Sequence, residues 1–511
     1  MGSFIQLQID GDLLASPDKA FVFAYYWLGI FRVSNLAIHD QECGTPRSQH
    51  CKDIRNIKSF NSKSWHFELN GSNNIVFDHV TVIAPPNNPI TNGGIHISIS
   101  SIGVTIQNWL IIATGDHDCI SIGPGSHNIN ITNVHCSSGH GSALAVSKMF
   151  DIIHFGAKPD GKTDNSKALS SAWSGACENN GGGVVLIPAQ GRFLVLPLLL
   201  QGPCHGVIRI QLDGELLAPS DKQFATGDYW LSIQNVNNLF IDGLGRLTGS
   251  GSSAWPSHSA NRPISMKLNN INTASIKNIS SYDSKLFHFA VHGSRDVTFD
   301  HITVVAPGDS PNTDGIHISS SSGINIMHST IGTGDDCISL GPGSKSINIT
   351  NVYCGPGHGI SIGSLGKYPN EENVFEVTVR DSTFVGTTNG ARIKSWSSSY
   401  SSMVSKVTFV NLQMNNVKNP IIIDQSYCPD SCGPNDMSKS KVQIEDVRYE
   451  GIRGSSNTQV AVDFECSQVL PCQGIVLQDI NLTFNGGGQS TSICHNVKGS
   501  TFGQQLPPSC L

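Results

Sequence analysis

Charge is scarce in this chain, with Asp, Glu, Lys and Arg making up only 14% of its 511 residues. Gly is plentiful at 52, and Asn, Ser, Thr, Val and Ile are abundant. That balance excludes a helical bundle and favours short strands joined by tight turns. No run of 18 apolar residues exists, so nothing is expected to span a membrane. There is no cationic excess either. A formal net charge of −7 gives no reason to expect nucleic-acid binding, and a polyanionic ligand would need a local basic patch. The start, MGSFIQLQIDGDLL, has neither a basic leader nor a long apolar stretch, so no signal peptide is visible.

The 14 cysteines lack metal-ligand spacing. Disulfides and an oxidising compartment follow as expectations, with no metal and no cofactor. Proximity suggests the pairs Cys177–Cys204, Cys337–Cys354, Cys428–Cys432, Cys466–Cys472 and Cys494–Cys510. Asn-x-Ser/Thr triplets at Asn70, Asn130, Asn278, Asn348 and Asn481 also suit a secreted protein.

The chain contains itself twice. IDGDLLASPDK at 9–19 returns as LDGELLAPSDK at 212–222, and HFELNGSNNIVFDHVTVIAP at 66–85 returns as HFAVHGSRDVTFDHITVVAP at 288–307. Ile120–Cys136 matches Ile338–Cys354 at 13 of 17 positions. Two domains are therefore expected: a truncated, degenerate copy over 1–148 and a complete one over 149–511.

Within the second copy, β-branched segments such as DVTFDHITV, GINIMHSTI and SINITNVYC recur, separated by Gly, Asn and Ser turns. Alternating segments of this kind read as half-buried strands. Units too small to bury their own core must stack, and an all-β, right-handed parallel β-helix is the architecture predicted. A propeller would need longer repeats of four strands each. Lys167–Glu178 reads as a helix with Asp164 or Asn165 near its N-cap, placed to cover the first coil and its unpaired sheet edge.

Three motifs lie one coil apart: NTDGIH at 312–317, GTGDDC at 332–337 and GPGHGISIGS at 355–364. Asp314 to Asp336 is 22 residues, as is Asp336 to His358. In a solenoid of that period, the three side chains share one face. ARIK follows at 391–394, with Arg392 and Lys394 two apart on a strand and so on one side. Singly, each reads as a turn acid, a surface histidine or a solvated strand face; jointly, at one-coil spacing, they read as a site. Asp335 and Asp336 are adjacent, and both reach one cleft only if Gly334 marks a turn or bulge. Crowded carboxylates raise one member's proton affinity, which supplies an acid. Water attack on a glycosidic bond needs acid and base roughly 6.5–9.5 Å apart.

From about Phe150 onward the chain resembles the polygalacturonase family of glycoside hydrolases, plant type, on the four motifs NTD, GDD, GHG and RIK in order. The resemblance implies hydrolysis of α-1,4-linked galacturonate with inversion on a right-handed parallel β-helix. It implies Asp335 as general acid, Asp314 and Asp336 as bases, and His358 as support to the acid. It also implies Arg392 and Lys394 as sugar-carboxylate binders, with Asn312 and Tyr427 lining the cleft. A core or disulfide-adjacent role for Tyr427 stays open. GKYPNEENVFEVTVRDSTFVGTTNGARIKSW is similar to exo-acting members. A secreted, monomeric enzyme acting on cell-wall pectin is the expectation. The alternatives are a rhamnogalacturonan hydrolase and a non-catalytic pectin-binding solenoid.

The first copy departs where the chemistry lies. Ile90 and Asn92 stand where the second copy has Asn312 and Asp314, His117 splits Asp116 from Asp118, and no RIK follows. This copy is expected to be inactive and to fold poorly.

Overall fold

The computed structural model describes residues 148–189, 191–255, 261–397, 400–429 and 439–511, together with segments 5–8, 26–31, 36–39, 53–55, 58–60, 65–70, 75–78, 80–83, 94–97, 104–112, 119–122 and 129–136. The chain divides into two compact units, Met1–Ser147 and Lys148–Leu511.

The second unit is a solenoid whose strands pair in parallel. They form one sheet of 24 strands and another of 11. Each full coil gives one strand to the shorter sheet and two to the longer; Phe289–His292, Arg295–Asp300 and Thr303–Val305 make one such coil. The winding is right-handed, as the twist of parallel strands favours. Between the two long-sheet strands of successive coils stands a residue of left-handed backbone: Asn278, His301, His328, Asn351, Asp381 and Asn411 have φ of 56, 54, 48, 54, 52 and 52°. Asn, Asp and His tolerate this region better than other side chains, which is why the turns are rich in them.

Alternation sends every second side chain inward, where equal register stacks like on like. Ile318, Leu340, Ile362, Ile393, Ile423 and Phe464 form one column. Phe299, Ile326, Ile349, Val379, Phe409, Tyr449 and Leu477 form another. All of these are fully or almost fully buried. A stack of β-branched residues fills the narrow interior without loss of rotamer freedom beyond what the strand already imposes.

The helix Ser166–Glu178 closes the N-terminal end of this unit. It buries Ala168, Leu169, Ala172, Trp173, Ala176 and Cys177 at helical spacing. Trp173 Nε1 donates to the Gln201 carbonyl at 3.1 Å, and Cys177 is bonded to Cys204. Asn165 occupies the N-cap position, but its side chain does not cap. Its Oδ1 instead accepts from the Lys158 amide at 2.7 Å, while Asp164 Oδ1 accepts from the Ser166 amide at 2.9 Å.

Four of the expected disulfides are present: Cys177–Cys204, Cys337–Cys354, Cys466–Cys472 and Cys494–Cys510. Cys428 is disulfide-bonded, and Cys432 lies outside the described residues. Asn130, Asn278, Asn348 and Asn481 are exposed, as glycan acceptors must be. Among the described residues no helix is long and apolar enough to cross a membrane.

The described strands of the first unit also pair in parallel and bury a core that includes Phe67, Phe77, Val82, Ile95, Ile106, Trp109 and Ile111. Phe67, Phe77 and Trp109 pack edge to face with centroids 5.2–5.6 Å apart. Ile90, Asn92, Asp116, His117 and Asp118 lie outside the described residues.

Candidate active site

The shorter sheet carries the site on its outer side. His317, Ser339, Ser361 and Arg392 occupy one register position on four successive strands, next to the inward column Ile316, Ile338, Ile360 and Ala391. The aspartates come from the turns that enter these strands. Asp314 directly precedes Gly315 and the strand Ile316–Ser319, while Asp335 and Asp336 lie in the bend between Thr330–Gly332 and Ile338–Leu340. The bend removes strand alternation, and both adjacent acids therefore face the same cluster.

Two glycines let the coils approach closely enough. A Cβ at Gly334 would lie 2.0 Å from the Ser310 carbonyl oxygen, and one at Gly315 would lie 2.5 Å from that of Cys337. The disulfide Cys337–Cys354 then pins the residue that follows Asp336 to the next coil.

Each aspartate is oriented by the coil that follows it. Ser339 Oγ donates to Asp314 Oδ2 and Ser361 Oγ donates to Asp336 Oδ1, both at 2.6 Å. Lys394 Nζ donates to Asp336 Oδ2 at 2.8 Å. Asp335 Oδ1 accepts from the Asp336 amide at 2.8 Å and stands 2.9 Å from His358 Nδ1. Side-chain exposure separates the three acids: 19% for Asp335, 8% for Asp314 and 3% for Asp336.

The charges are arranged to split their proton affinities. Burial, then the charges of Asp335 and Asp336, push Asp314 well above the usual carboxylate range, against the Ser339 hydrogen bond and Lys394. Burial also works to raise Asp335, but the hydrogen bond and charge of His358, with Lys394 behind them, hold it below its ordinary value. Burial opposes the charge on Lys394, yet Asp336 keeps its pKa raised. Asp314 is thus the carboxyl raised and Asp335 the one lowered, whereas crowding alone had not indicated which would be raised.

Arg392 and Lys394 do share one side. The Arg392 guanidinium carbon and Lys394 Nζ stand 5.3 and 5.2 Å from the centre of the Tyr427 ring, which meets Trp396 edge-on at 5.6 Å. Tyr427 is thus a half-buried platform under the two cations. Arg392 Nη2 is 4.0 Å from Asp424 Oδ2, and among the described residues its buried Nε has no hydrogen-bond partner. Asn312 is exposed on the turn before Asp314, with φ of 52°; among the described residues it shares no hydrogen bond with the aspartates.

Some neighbours were not anticipated. His317 stacks on Phe287 at 4.7 Å, has Nδ1 2.7 Å from Ser339 Oγ and 3.9 Å from Asp314 Oδ2, and burial with Lys394 and His292 lowers its pKa to about 4. It is the last residue of NTDGIH, and counting in twos along the strand would have placed it on the outer side. Ser339 and Ser361 carried no comparable signal. Beyond Arg392 the face turns acidic: Asp424 is raised mainly by burial, and Asp463 is pushed up to about 6 by burial, Glu465 and Asp424.

Donor atoms of Asp335, Asp336 and His358 lie within 4.8 Å of one another, a spacing a metal ion tolerates. The Lys394 ammonium on Asp336 already supplies the positive charge there.

A row of carboxyls whose proton affinities are shifted apart, backed by an imidazole and a cation pair, on a parallel β-helix, suits a glycoside hydrolase. The chain belongs to glycosyl hydrolases family 28, whose profile matches residues 46–146 and 177–506. It is 42% identical over 369 residues to an exopolygalacturonase of Platanus acerifolia, covering 70% of this chain and 97% of that protein. An exopolygalacturonase of Zea mays is 44% identical over 365 residues, covering 69% and 88% respectively. Among solved structures, an endo-xylogalacturonan hydrolase from Aspergillus tubingensis superposes with a TM-score of 0.62 at 24% identity, over 70% of this chain and 99% of that one.

Proposed function

We propose that the second unit hydrolyses the α-1,4 bonds of polygalacturonate from a chain end, with inversion, as an exported monomer acting in the plant cell wall. One observation carries the reading: three carboxyls, two of them shifted in opposite directions, lie on one face with a guanidinium whose Nε has no hydrogen-bond partner among the described residues, the complement an anionic sugar requires. The end-cutting mode rests on the two exopolygalacturonases above.

Asp335, the most open of the three, passes the proton it shares with His358, 2.9 Å away, to the leaving glycosidic oxygen as the bond to the anomeric carbon breaks. A water held between Asp314 and Asp336 adds to the opposite face of the sugar and gives its proton to one of them. Arg392 takes the sugar carboxylate, with Asn312 and Tyr427 at its flanks, while Lys394 donates to Asp336 Oδ2 and fixes its position. A second reading exchanges roles, with Asp314 as acid, and is favoured by its raised proton affinity.

Reducing-end release from polygalacturonate by the full chain tests the activity, with monomer as the first product. Asp335→Asn is expected to lose about 10²–10⁴ in rate. An aryl galacturonide with a good leaving group needs no acid, so it restores Asp335→Asn but not Asp314→Asn. Rescue of Asp314→Asn alone would establish the exchanged roles.

The first unit, with Asn92 for Asp314 and no RIK, is proposed to lack activity.

A further inference from the structure

Away from the cleft, on the long sheet, two imidazoles converge on one carboxylate oxygen. His301 Nδ1 and His328 Nδ1 lie 2.7 and 2.9 Å from Asp300 Oδ1. The rings are 4.9 Å apart, and the three donor atoms all lie within 4.8 Å of one another. Asp300 is nearly buried while both histidines are open to solvent. We propose that Asp300, His301 and His328 form a binding site for a zinc-type divalent transition-metal cation that clamps two adjacent coils.

The chemistry of the donors selects the metal. Two imidazoles with one carboxylate suit zinc, nickel or copper, whereas calcium and magnesium demand more oxygen ligands. Around tetrahedral zinc, with bonds of about 2.0–2.1 Å, ligand atoms stand about 3.3 Å apart. The observed triangle reaches that size by small side-chain rotations, and the open side leaves a fourth position for water. Lys277 Nζ is 3.9 Å from the other oxygen, Asp300 Oδ2, so it balances the carboxylate without filling the point of convergence.

Backbone demand alone does not explain the pair. Both histidines occupy left-handed turn positions that Asn fills at Asn278, Asn351 and Asn411. The first unit supplies an internal comparison: Phe77 and Asp78 pair with Ile106 and Gln107 as Phe299 and Asp300 pair with Ile326 and Met327. The residue after Gln107 is Asn108, with φ of 56°, where the second unit has His328 at 48°. His328→Asn is therefore a substitution this fold already tolerates.

The test is calorimetric titration of the EDTA-treated full chain with zinc chloride, beside His328→Asn, His301→Asn/His328→Asn and Asp335→Asn/His358→Asn. One zinc per chain is expected to disappear in the double histidine variant and to bind at least tenfold more weakly in His328→Asn. It should persist in Asp335→Asn/His358→Asn. Zinc should raise the Tm of the parent chain and leave that of the double histidine variant unmoved. Unchanged zinc affinity in His301→Asn/His328→Asn, or its loss only in Asp335→Asn/His358→Asn, overturns the proposal. Activity on polygalacturonate without added metal is expected to be the same in His328→Asn and the parent.

Discussion

At the residue scale, Asp314 has its proton affinity raised by burial and by two neighbouring carboxylates, against the Ser339 hydroxyl and Lys394. In its proposed role as base it works only when ionised, so the acid limb of the activity profile should lie above the ordinary carboxylate range. Ser339→Ala removes the 2.6 Å hydrogen bond that favours the ionised form, and the acid limb should move to higher pH. A pH–rate profile of kcat/KM checks this; a limb that stays put or moves down would contradict it. Stability carries the opposite sign. A carboxyl whose folded pKa exceeds its unfolded one favours the fold below the ordinary range and opposes it as pH rises through the folded value. Asp314→Asn should therefore abolish activity yet raise Tm at pH 7, with the gain vanishing near pH 4.

At the scale of the element, the strand pairs matter through what they stack. Ile349 is fully buried between Ile326 and Val379 of the neighbouring coils. Ile349→Ala leaves a cavity in a column that cannot collapse sideways, and should cost about 2–5 kcal/mol in urea unfolding. Its activity per folded molecule should be unchanged, because Ile349 points into the core of the long sheet and not toward the candidate acids. Tyr449 is the odd member of the same column. Its ring stacks on Phe409 at 5.2 Å, but its buried hydroxyl lacks a hydrogen-bond partner among the described residues. Tyr449→Phe should stabilise the protein by about 1 kcal/mol, measured by the same unfolding curve.

At the scale of the whole molecule, the sequence repeats itself with Asn92 in place of Asp314 and with no second RIK, and the first copy is proposed to be inactive. The first unit keeps the inward residues that make a coil, and the described part of it buries a continuous core. It lacks counterparts of Asn312, Asp314 and the RIK cations in its sequence. Full chain carrying Asp335→Asn should accordingly show no residual rate beyond that of the damaged second unit. Adding Asp314→Asn and Asp336→Asn should not reveal a slower background that titrates independently; a persistent, separately inhibitable activity would assign catalysis to the first unit.

The sequence by itself determined the solenoid, its capping helix, the candidate acids, the cations and four disulfide pairs. These are properties of spacing: a regular coil converts separation along the chain into adjacency across the sheet, so Asp314, Asp336 and His358 could be aligned by counting. Tertiary structure decided what counting cannot reach. It engaged Lys394 with Asp336, set Tyr427 beneath two cations, put Ser339 and Ser361 on the acids and raised the proton affinity of Asp314. Those outcomes depend on burial and on contacts a few ångströms long between coils, and electrostatic energy at that range follows distance and solvent access, neither of which is written in residue order.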